Sequence, residues 1–189
     1  MYSNNPKKYK RNSIRLKGYD YAQKGLYFIT ICTQNRHCFF GKITNGVLHL
    51  NDAGKMIEQW YYELENKFDD IKCGTHVVMP NHFHAIIHNI GVGADLRVCP
   101  NSNMGEHVPI MGEHIGSPLH VVVQWFKTMT TNQYIRNVKN NNWQRFDGKL
   151  WQRNYWEHII RNEKSHQNIS NYIVNNPLKW NADTLNPEP

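Results

Sequence analysis

Met79-Pro80-Asn81-His82-Phe83-His84, continued directly by Ala85-Ile86-Ile87-His88, is the stretch on which the prediction of the fold depends. Two histidines separated by one residue lie in an apolar run that is typical of a β-strand. Successive strand side chains point to opposite faces, so His82 and His84 share one face of the sheet and Phe83 points to the other. Two imidazoles side by side on a rigid strand can chelate one metal ion. Two ordinary strand histidines, one hydrogen-bonded and one exposed, are the alternative reading of this motif alone.

The segments before this strand predict further strands and one helix. Residues 25–33 and 71–78 are rich in β-branched and aromatic residues, and Asn45-Gly46 lies between two short apolar runs, which is the signature of a hairpin. Asn51 or Asp52 is expected to cap a helix. The apolar residues of that helix recur at helical spacing, namely Met56, Ile57, Trp60, Tyr61, Leu64 and Phe68.

The second half of the chain predicts two more helices and a last strand. Ser117-Pro118 favours a helix start, with Ser117 as the N-cap and proline in the first turn. The last strand is expected within residues 150–161, and Asn162 caps a final helix that Pro177 ends. The whole order predicts an α+β, ferredoxin-like (RRM-like) antiparallel sheet. Its helices are expected to pack on one face, and the His82–His84 strand is expected to be central.

Length and composition favour one domain and disfavour several classes of protein. We predict a single domain over residues 21–180, preceded by a basic arm over 1–20 and followed by a polar tail over 181–189. No apolar run approaches the ~20 residues that span a bilayer, and the N-terminus lacks the apolar core of a signal peptide. The four cysteines contain no CxxC pair. A reduced cytoplasmic protein that does not enter the membrane is therefore expected.

Residues 89–118 interrupt the pattern of strands and helices. Met104-Gly105-Glu106-His107 recurs as Met111-Gly112-Glu113-His114, and such a tandem duplication is typical of a surface insertion. The two Glu-His pairs are poor candidates for a metal site, because a flexible loop does not preorganise its ligands.

The formal net charge of +7 is concentrated at the N-terminus. The first twenty residues hold six basic side chains and the single acid Asp20, so they carry +5 of the total. Tyr9 and Tyr19 lie among them, and this mixture suits phosphate contacts and base stacking on a nucleic acid. A solvated tail that aids solubility is the alternative.

The final predicted helix supplies the second half of a candidate site. Tyr172 and Asn176 are four residues apart, so they share one face of the helix if it continues to the residue before Pro177. If this face packs over the two histidines, the cluster holds two imidazole nitrogens, an amide oxygen and a phenol. Mg²⁺ or Mn²⁺ accepts such ligands and keeps positions open for phosphate oxygens. Tyr134 is the competing nucleophile, and either tyrosine could instead be a plain core residue.

Three segments in this order resemble the REP-associated tyrosine transposases, which belong to the single-tyrosine HUH endonucleases. The segments are Pro80-Asn81-His82-Phe83-His84, then Trp151-Gln152-Arg153-Asn154-Tyr155-Trp156-Glu157-His158-Ile159-Ile160-Arg161-Asn162, then Tyr172-Ile173-Val174-Asn175-Asn176-Pro177. The resemblance runs from about Arg11 to Trp180. It implies a bacterial, nucleoid-associated enzyme that nicks and rejoins single-stranded DNA at hairpins of short palindromic repeats.

By the same resemblance, His82 and His84 are the HUH metal ligands, Asn176 is the third ligand, and Tyr172 forms a 5′-phosphotyrosine. His158 lies in a matching motif, and we interpret it as a structural or supporting residue. Members of the family occur as monomers and as dimers, so a homodimer is one expected state. The expected DNA contacts are all basic, namely Lys7, Lys8, Lys10, Arg11, Arg15, Lys17 and Lys127.

Two other functions fit parts of the sequence. An RRM-like domain that binds single-stranded nucleic acid without cleaving it has the same predicted layers, although the chain lacks a recognisable RNP signature. A metal phosphodiesterase that uses water as its nucleophile has the same candidate ligands. Tight, salt-sensitive, metal-independent binding that leaves the DNA unchanged would favour the binding domain, and cleavage that survives loss of every candidate tyrosine would favour the phosphodiesterase.

Overall fold

The computed structural model describes Leu16, residues 18–91 and residues 116–187. The elements of these residues, in chain order, are β1 (Gly25–Cys32), β2 (Gly41–Thr44), β3 (Val47–Leu50), α1 (Asp52–Lys67), β4 (Ile71–Val78), β5 (His82–Asn89), α2 (Leu119–Asn140), β6 (Trp156–Ile160) and α3 (Glu163–Asn175). The basic arm apart from Leu16 and residues 18–20, and residues 92–115 of the predicted insertion, lie outside the described residues. Among the described residues, no helix has the length and apolar character that a bilayer crossing requires.

The main sheet has the order β4-β5-β1-β6, and each neighbouring pair is antiparallel. The elements that build it follow the order β1-α1-β4-β5-α2-β6, which is the ferredoxin-like arrangement. The predicted α+β class is confirmed, and β5 with its two histidines is a central strand as expected. β5 pairs with β1 along its whole length, from His82 opposite Cys32 to Asn89 opposite Gly25.

The larger core lies between one face of this sheet and the helices α1 and α2. It is built from the alternate residues of β1 and β5 that point to this face, because side chains alternate along a strand. Phe83 is fully buried there, and its ring stacks on Phe126 of α2 at 5.2 Å between centroids. The predicted apolar stripe of α1 meets the same core through Met56, Ile57, Tyr61 and Leu64.

The third helix lies on the opposite face of the sheet, and this differs from the prediction that all helices pack on one face. Ile173 of α3 is fully buried against Phe28, Ile86 and Ile160. These sheet residues are apolar and point away from the larger core, so the second face also needs a cover. Because His82 and His84 have the same parity as Ile86 along β5, they lie on the face that α3 covers.

Local signals fixed most of the element boundaries. Asn45 and Gly46 both have positive φ, 52° and 74°, as the tight turn between β2 and β3 requires. These two strands form a separate two-stranded sheet. Asn51 caps α1, since its side chain accepts a hydrogen bond from the amide of Gly54 at 2.9 Å.

The predicted N-cap of α2 is wrong. The hydroxyl of Ser117 donates to Oδ1 of Asp70 at 2.7 Å, and the backbone amide of Ser117 donates to the other oxygen of the same carboxylate. Asp70 is 3% exposed, and a buried carboxylate without hydrogen-bond donors costs more free energy than a helix loses without a side-chain cap. Ser117 therefore pairs with Asp70.

Candidate active site

The two histidines of β5 lie side by side and are almost completely buried. His82 is 0% exposed and His84 is 2% exposed, and their rings are 4.5 Å apart with 70° between the planes. Trp180, in the 3-10 helix that follows α3 (Pro177–Ala182), lies 6.1 Å from the His82 ring and helps to cover it.

A buried amide fixes the proton of His82. The Nδ2 group of Asn81 donates to two backbone carbonyls, that of Arg36 at 3.1 Å and that of Leu185 at 2.7 Å. The other amide atom, Oδ1, is therefore the acceptor, and it lies 2.7 Å from Nδ1 of His82. Because Nδ1 must donate to it, the neutral ring carries its proton there and keeps a free lone pair on Nε2.

His84 is oriented by the neighbouring strand. Thr30 lies directly opposite it on β1, and the Thr30 hydroxyl is 2.8 Å from Nδ1 of His84. When Nδ1 donates to this hydroxyl, the Nε2 atom of His84 is also left with its lone pair. Both rings are thus held through Nδ1, and both can bind a cation through Nε2.

Burial keeps both imidazoles neutral. Desolvation lowers the pKa of His82 to about 3, and the nearby Asn176 side chain opposes this shift. Desolvation also lowers the pKa of His84 to about 3, and the adjacent His82 adds to the effect. Neutral imidazole is the form that binds metals, so no proton has to be displaced near neutral pH.

Helix α3 brings Tyr172 and Asn176 to the histidines. Asn162 caps its first turn by accepting from the amide of Ser165 at 2.8 Å, as predicted. Asn176, the residue before Pro177, keeps helical angles of φ −60° and ψ −41°. The helical register therefore survives to Asn176, and the chain continues beyond Pro177 as the 3-10 helix.

Two buried polar atoms in this cluster have no hydrogen-bond partner among the described residues. They are Nε2 of His82 and Oδ1 of Asn176. An unpaired buried polar atom costs about 1–3 kcal/mol, so such a pair is typical of a site that expects a ligand. The described residues contain no group of three or more His, Cys, Asp or Glu that could hold a metal. A cation here would use two imidazoles and an amide oxygen, which fits Mg²⁺ or Mn²⁺ with positions left for phosphate oxygens.

Tyr172 lies at the open edge of the cluster. Its hydroxyl is 3.4 Å from Nε2 of His84, and the side chain is 41% exposed. Burial, with a smaller effect of Asp183, raises the pKa of the phenol above its ordinary value, and Asn176 partly offsets this. The protein alone therefore favours the protonated phenol, and a nucleophile of this kind is activated by a nearby base or cation.

Tyr134 lies in the larger core on the other side of the sheet. Its ring is 1% exposed, and its hydroxyl donates to the carbonyl of Gln144 at 2.9 Å. Burial raises the pKa of Tyr134 to about 12. This environment is that of a core tyrosine, which was the alternative reading for either residue.

The predicted DNA contacts have two outcomes. The arm residues Lys7, Lys8, Lys10, Arg11, Arg15 and Lys17 lie outside the described residues. Lys127 donates to the carbonyls of Gln152 at 2.7 Å and Arg153 at 3.1 Å, and burial lowers its pKa to about 8. Its ammonium thus holds the segment before β6 against α2, and a role in DNA binding stays a prediction.

Three parts of the site were missed by reasoning from the sequence. No role of its own was predicted for Asn81, although its place directly before His82 is a usable signal. Thr30 pairs with His84 only through the register of the sheet. The predicted polar tail returns to the site, where the carbonyls of Thr184 and Leu185 accept hydrogen bonds from Arg36 and Asn81.

Asn81→Ala is expected to weaken metal binding, although Asn81 is not one of the proposed metal ligands. The substitution removes the acceptor for Nδ1 of His82, and loss of such orienting groups typically costs about 10–100-fold in metal affinity. Titration calorimetry with Mn²⁺ measures the effect. Asn89→Ala is the matched control, since Asn89 is also 1% exposed and also holds two carbonyls, those of Ala22 and Ser117. Equal loss in both variants would refute the specific role of Asn81.

Comparison with known proteins finds similarity to proteins named as transposases. No protein-family model matches it. An uncharacterised protein of Haemophilus influenzae is 40% identical over 177 residues, 93% of this chain and 92% of that protein. A second Haemophilus influenzae protein carries the provisional name REP-associated tyrosine transposase, and it is 24% identical over 163 residues, 85% of this chain and 74% of that protein.

The fold also has a solved counterpart. A REP-associated tyrosine transposase bound to a REP hairpin superposes with a TM-score of 0.52 at 18% identity, over 87% of this chain and 74% of that one. The sequence relationship, the shared fold and the three motifs in their order agree with one another. The chain therefore resembles the REP-associated tyrosine transposases in sequence and in fold.

Proposed function

We propose that this protein is a metal-dependent single-strand DNA endonuclease and transposase that nicks and rejoins DNA at hairpins through a 5′-phosphotyrosine on Tyr172. In this proposal His82, His84 and Asn176 hold a Mg²⁺ or Mn²⁺ ion. The observation that carries it is the convergence of the Tyr172 hydroxyl on Nε2 of His84, beside the unpaired Nε2 of His82 and Oδ1 of Asn176.

The residues divide the work as follows. A bound divalent cation would polarise the phosphodiester and neutralise the charge that develops on it. Asn81 holds His82 in the tautomer that keeps its Nε2 atom available, and Thr30 orients the ring of His84 through Nδ1. Asn176 offers a neutral oxygen, so the site stays cationic once loaded and attracts the phosphate. Helix α3 fixes the phenol next to that position, which supplies proximity and orientation.

The proposed reaction is a transesterification. The Tyr172 oxygen forms a bond to phosphorus as the bond from phosphorus to the 3′ oxygen breaks. The phenol proton is released to solvent, and the departing oxygen takes up a proton to become a free 3′-OH. Since one phosphodiester replaces another, the reverse attack by a 3′-OH of a second end rejoins DNA without ATP.

A hairpin substrate is supported by the solved family member, which is bound to a REP hairpin. The net charge of +7 favours a polyanionic partner as well. Selection from a library of hairpins with unpaired flanks would identify the target sequence.

The direct test is formation of a covalent complex. The full chain is incubated with Mn²⁺ and a labelled hairpin that carries unpaired flanks, then separated under denaturing conditions and digested for mass spectrometry. A nucleotide on the peptide containing Tyr172, absent when a chelator is added, is expected. Metal-independent binding that leaves the DNA intact would instead indicate a non-catalytic binding domain, and cleavage without an adduct would indicate a phosphodiesterase using water.

A further inference from the structure

Part of the sheet face that carries the histidines is exposed beside helix α3. The helix packs on β4 and β5 and reaches Phe28 of β1 and Ile160 of β6 through Ile173. The exposed side chains of Trp156 and His158 on β6 form an open shelf next to it, and the register pairs each of them with a residue of β1. Thr30 lies opposite Trp156, and Phe28 lies opposite His158.

The aromatic side chains at this shelf contact one another. Trp156 is 51% exposed, and its ring is parallel to that of His158, with 5° between the planes and 6.0 Å between centroids. The ring of Phe28 meets Trp156 at 5.6 Å and Tyr172 at 6.1 Å, in both cases edge to face. A large exposed tryptophan beside a candidate nucleophile is not explained by packing, because half of its surface is left in water.

Two cavities open on this shelf, one on each side of Tyr172. Both are lined by Phe28, Trp156 and Tyr172. The first, of about 460 Å³, extends toward His158 and the start of α3, and the second, of about 580 Å³, extends toward His84 and Leu185. Each volume is within the range of small-molecule sites.

The polar lining of the two cavities suits nucleobases in a polyanionic chain. Asn162 and Asn168 line the first cavity, and Gln152 and Asn154 line the second, so each offers two amides for base edges. No carboxylate lines either cavity, and Lys164 is the only side chain with a full charge among their lining residues. Aromatic faces with amides and a cation are the combination that binds unpaired nucleotides.

We propose that these two cavities, together called the aromatic groove, bind the unpaired bases on either side of the phosphate that Tyr172 attacks, with Trp156 as the stacking surface between them. The choice of DNA as ligand rests on the proposed function. The new content is the role of Trp156, which would hold the flanking bases by stacking on the free face of an unpaired base.

The test measures binding without chemistry. In a Tyr172→Phe background, with a chelator present, fluorescence anisotropy follows an unpaired labelled strand of 12 nucleotides and a blunt duplex of the same length. Trp156→Ala is expected to weaken binding of the single strand by about tenfold or more, and Trp156→Phe, which keeps a ring, by no more than about threefold. Tyr62→Ala is the matched control, since Tyr62 of α1 is 54% exposed. It is expected to bind as the parent does.

Three results would overturn the proposal: unchanged single-strand binding in Trp156→Ala, an equal loss for the blunt duplex, or no rescue by Trp156→Phe. A second measurement uses a strand containing 2-aminopurine, whose fluorescence is quenched by stacking. We expect quenching with the parent protein and its loss in Trp156→Ala. Neither experiment needs metal or a covalent adduct. The proposed role of the aromatic groove can therefore be refuted while the proposed chemistry is confirmed, and the chemistry can be refuted while the role of the groove is confirmed.

Discussion

Tyr172→Phe is expected to reduce covalent DNA adduct formation by at least roughly 10³-fold, because it removes the attacking oxygen and nothing else. The side chain is 41% exposed, and its hydroxyl lies 3.4 Å from Nε2 of His84, which is a long contact. The free energy of unfolding should therefore change little. The adduct is measured on denaturing gels with Mn²⁺ and hairpin DNA, and unfolding is measured in denaturant.

Tyr134→Phe provides the matched control. It removes the hydroxyl that donates to Gln144, so it is expected to lower stability by about 1 kcal/mol and to leave adduct formation intact. The opposite pattern, with the adduct lost in Tyr134→Phe and retained in Tyr172→Phe, would show that the nucleophile is wrongly assigned. It would also require the larger core to open, since Tyr134 is 1% exposed.

The double substitution His82→Ala with His84→Ala is expected to abolish the stabilisation of the protein by Mn²⁺. At a free Mn²⁺ concentration of 100 times its dissociation constant, a single site stabilises the native state by about 2.7 kcal/mol. Two of the three proposed protein ligands are removed, so this shift should fall to zero. Thermal unfolding with and without Mn²⁺ measures it, and His49→Ala, an exposed histidine on β3, should keep the full shift.

A second variant covers the case in which the double substitution fails to fold. Asn176→Leu removes the unpaired buried Oδ1 while keeping a helical residue of similar size. The metal-free protein is expected to be about as stable as the parent, because the substitution removes a buried oxygen that has no partner. The shift with Mn²⁺ should nevertheless decrease. A full shift in both variants would mean that Mn²⁺ binds elsewhere.

The parts of this site that the sequence predicted are those set by local periodicity. Alternation along β5 places His82 and His84 on one face, and helical spacing places Tyr172 and Asn176 together, so neither statement needs the tertiary fold. The α-helical register at Asn176 was conditional, since the residue before proline is biased against it. The 3-10 helix that begins at Pro177 explains why the register survives, because proline suits the first position of a helical turn.

The parts that the sequence did not predict depend on contacts between distant segments. Both faces of the sheet carry apolar residues, such as the neighbouring Ile86 and Ile87 of β5, so both faces need a cover. The prediction placed all helices on one face and did not account for the second apolar face that α3 covers. The hydroxyl of Ser117 donates to Asp70, which is 47 residues away in the chain, and so it does not cap α2. The role of Asn81 depends on the carbonyl of Leu185, and no local pattern indicates that a late segment returns to the histidines.

Two features of the site favour the proposed dependence on metal. Burial raises the pKa of the Tyr172 phenol, and two adjacent buried atoms lack partners. The site as built from protein alone is therefore both poorly reactive and incompletely satisfied. One divalent cation would correct both, by pairing the free lone pairs and by favouring the phenolate.

The most direct measurement is anomalous diffraction from a crystal of the full chain soaked in Mn²⁺. One anomalous peak is expected within bonding distance of Nε2 of His82, Nε2 of His84 and Oδ1 of Asn176. The Tyr172 hydroxyl is expected to be directed toward the open side of the ion. A peak bound by other residues, or an ion at the histidines with Tyr172 turned away and no tyrosine of a second subunit in its place, would contradict it.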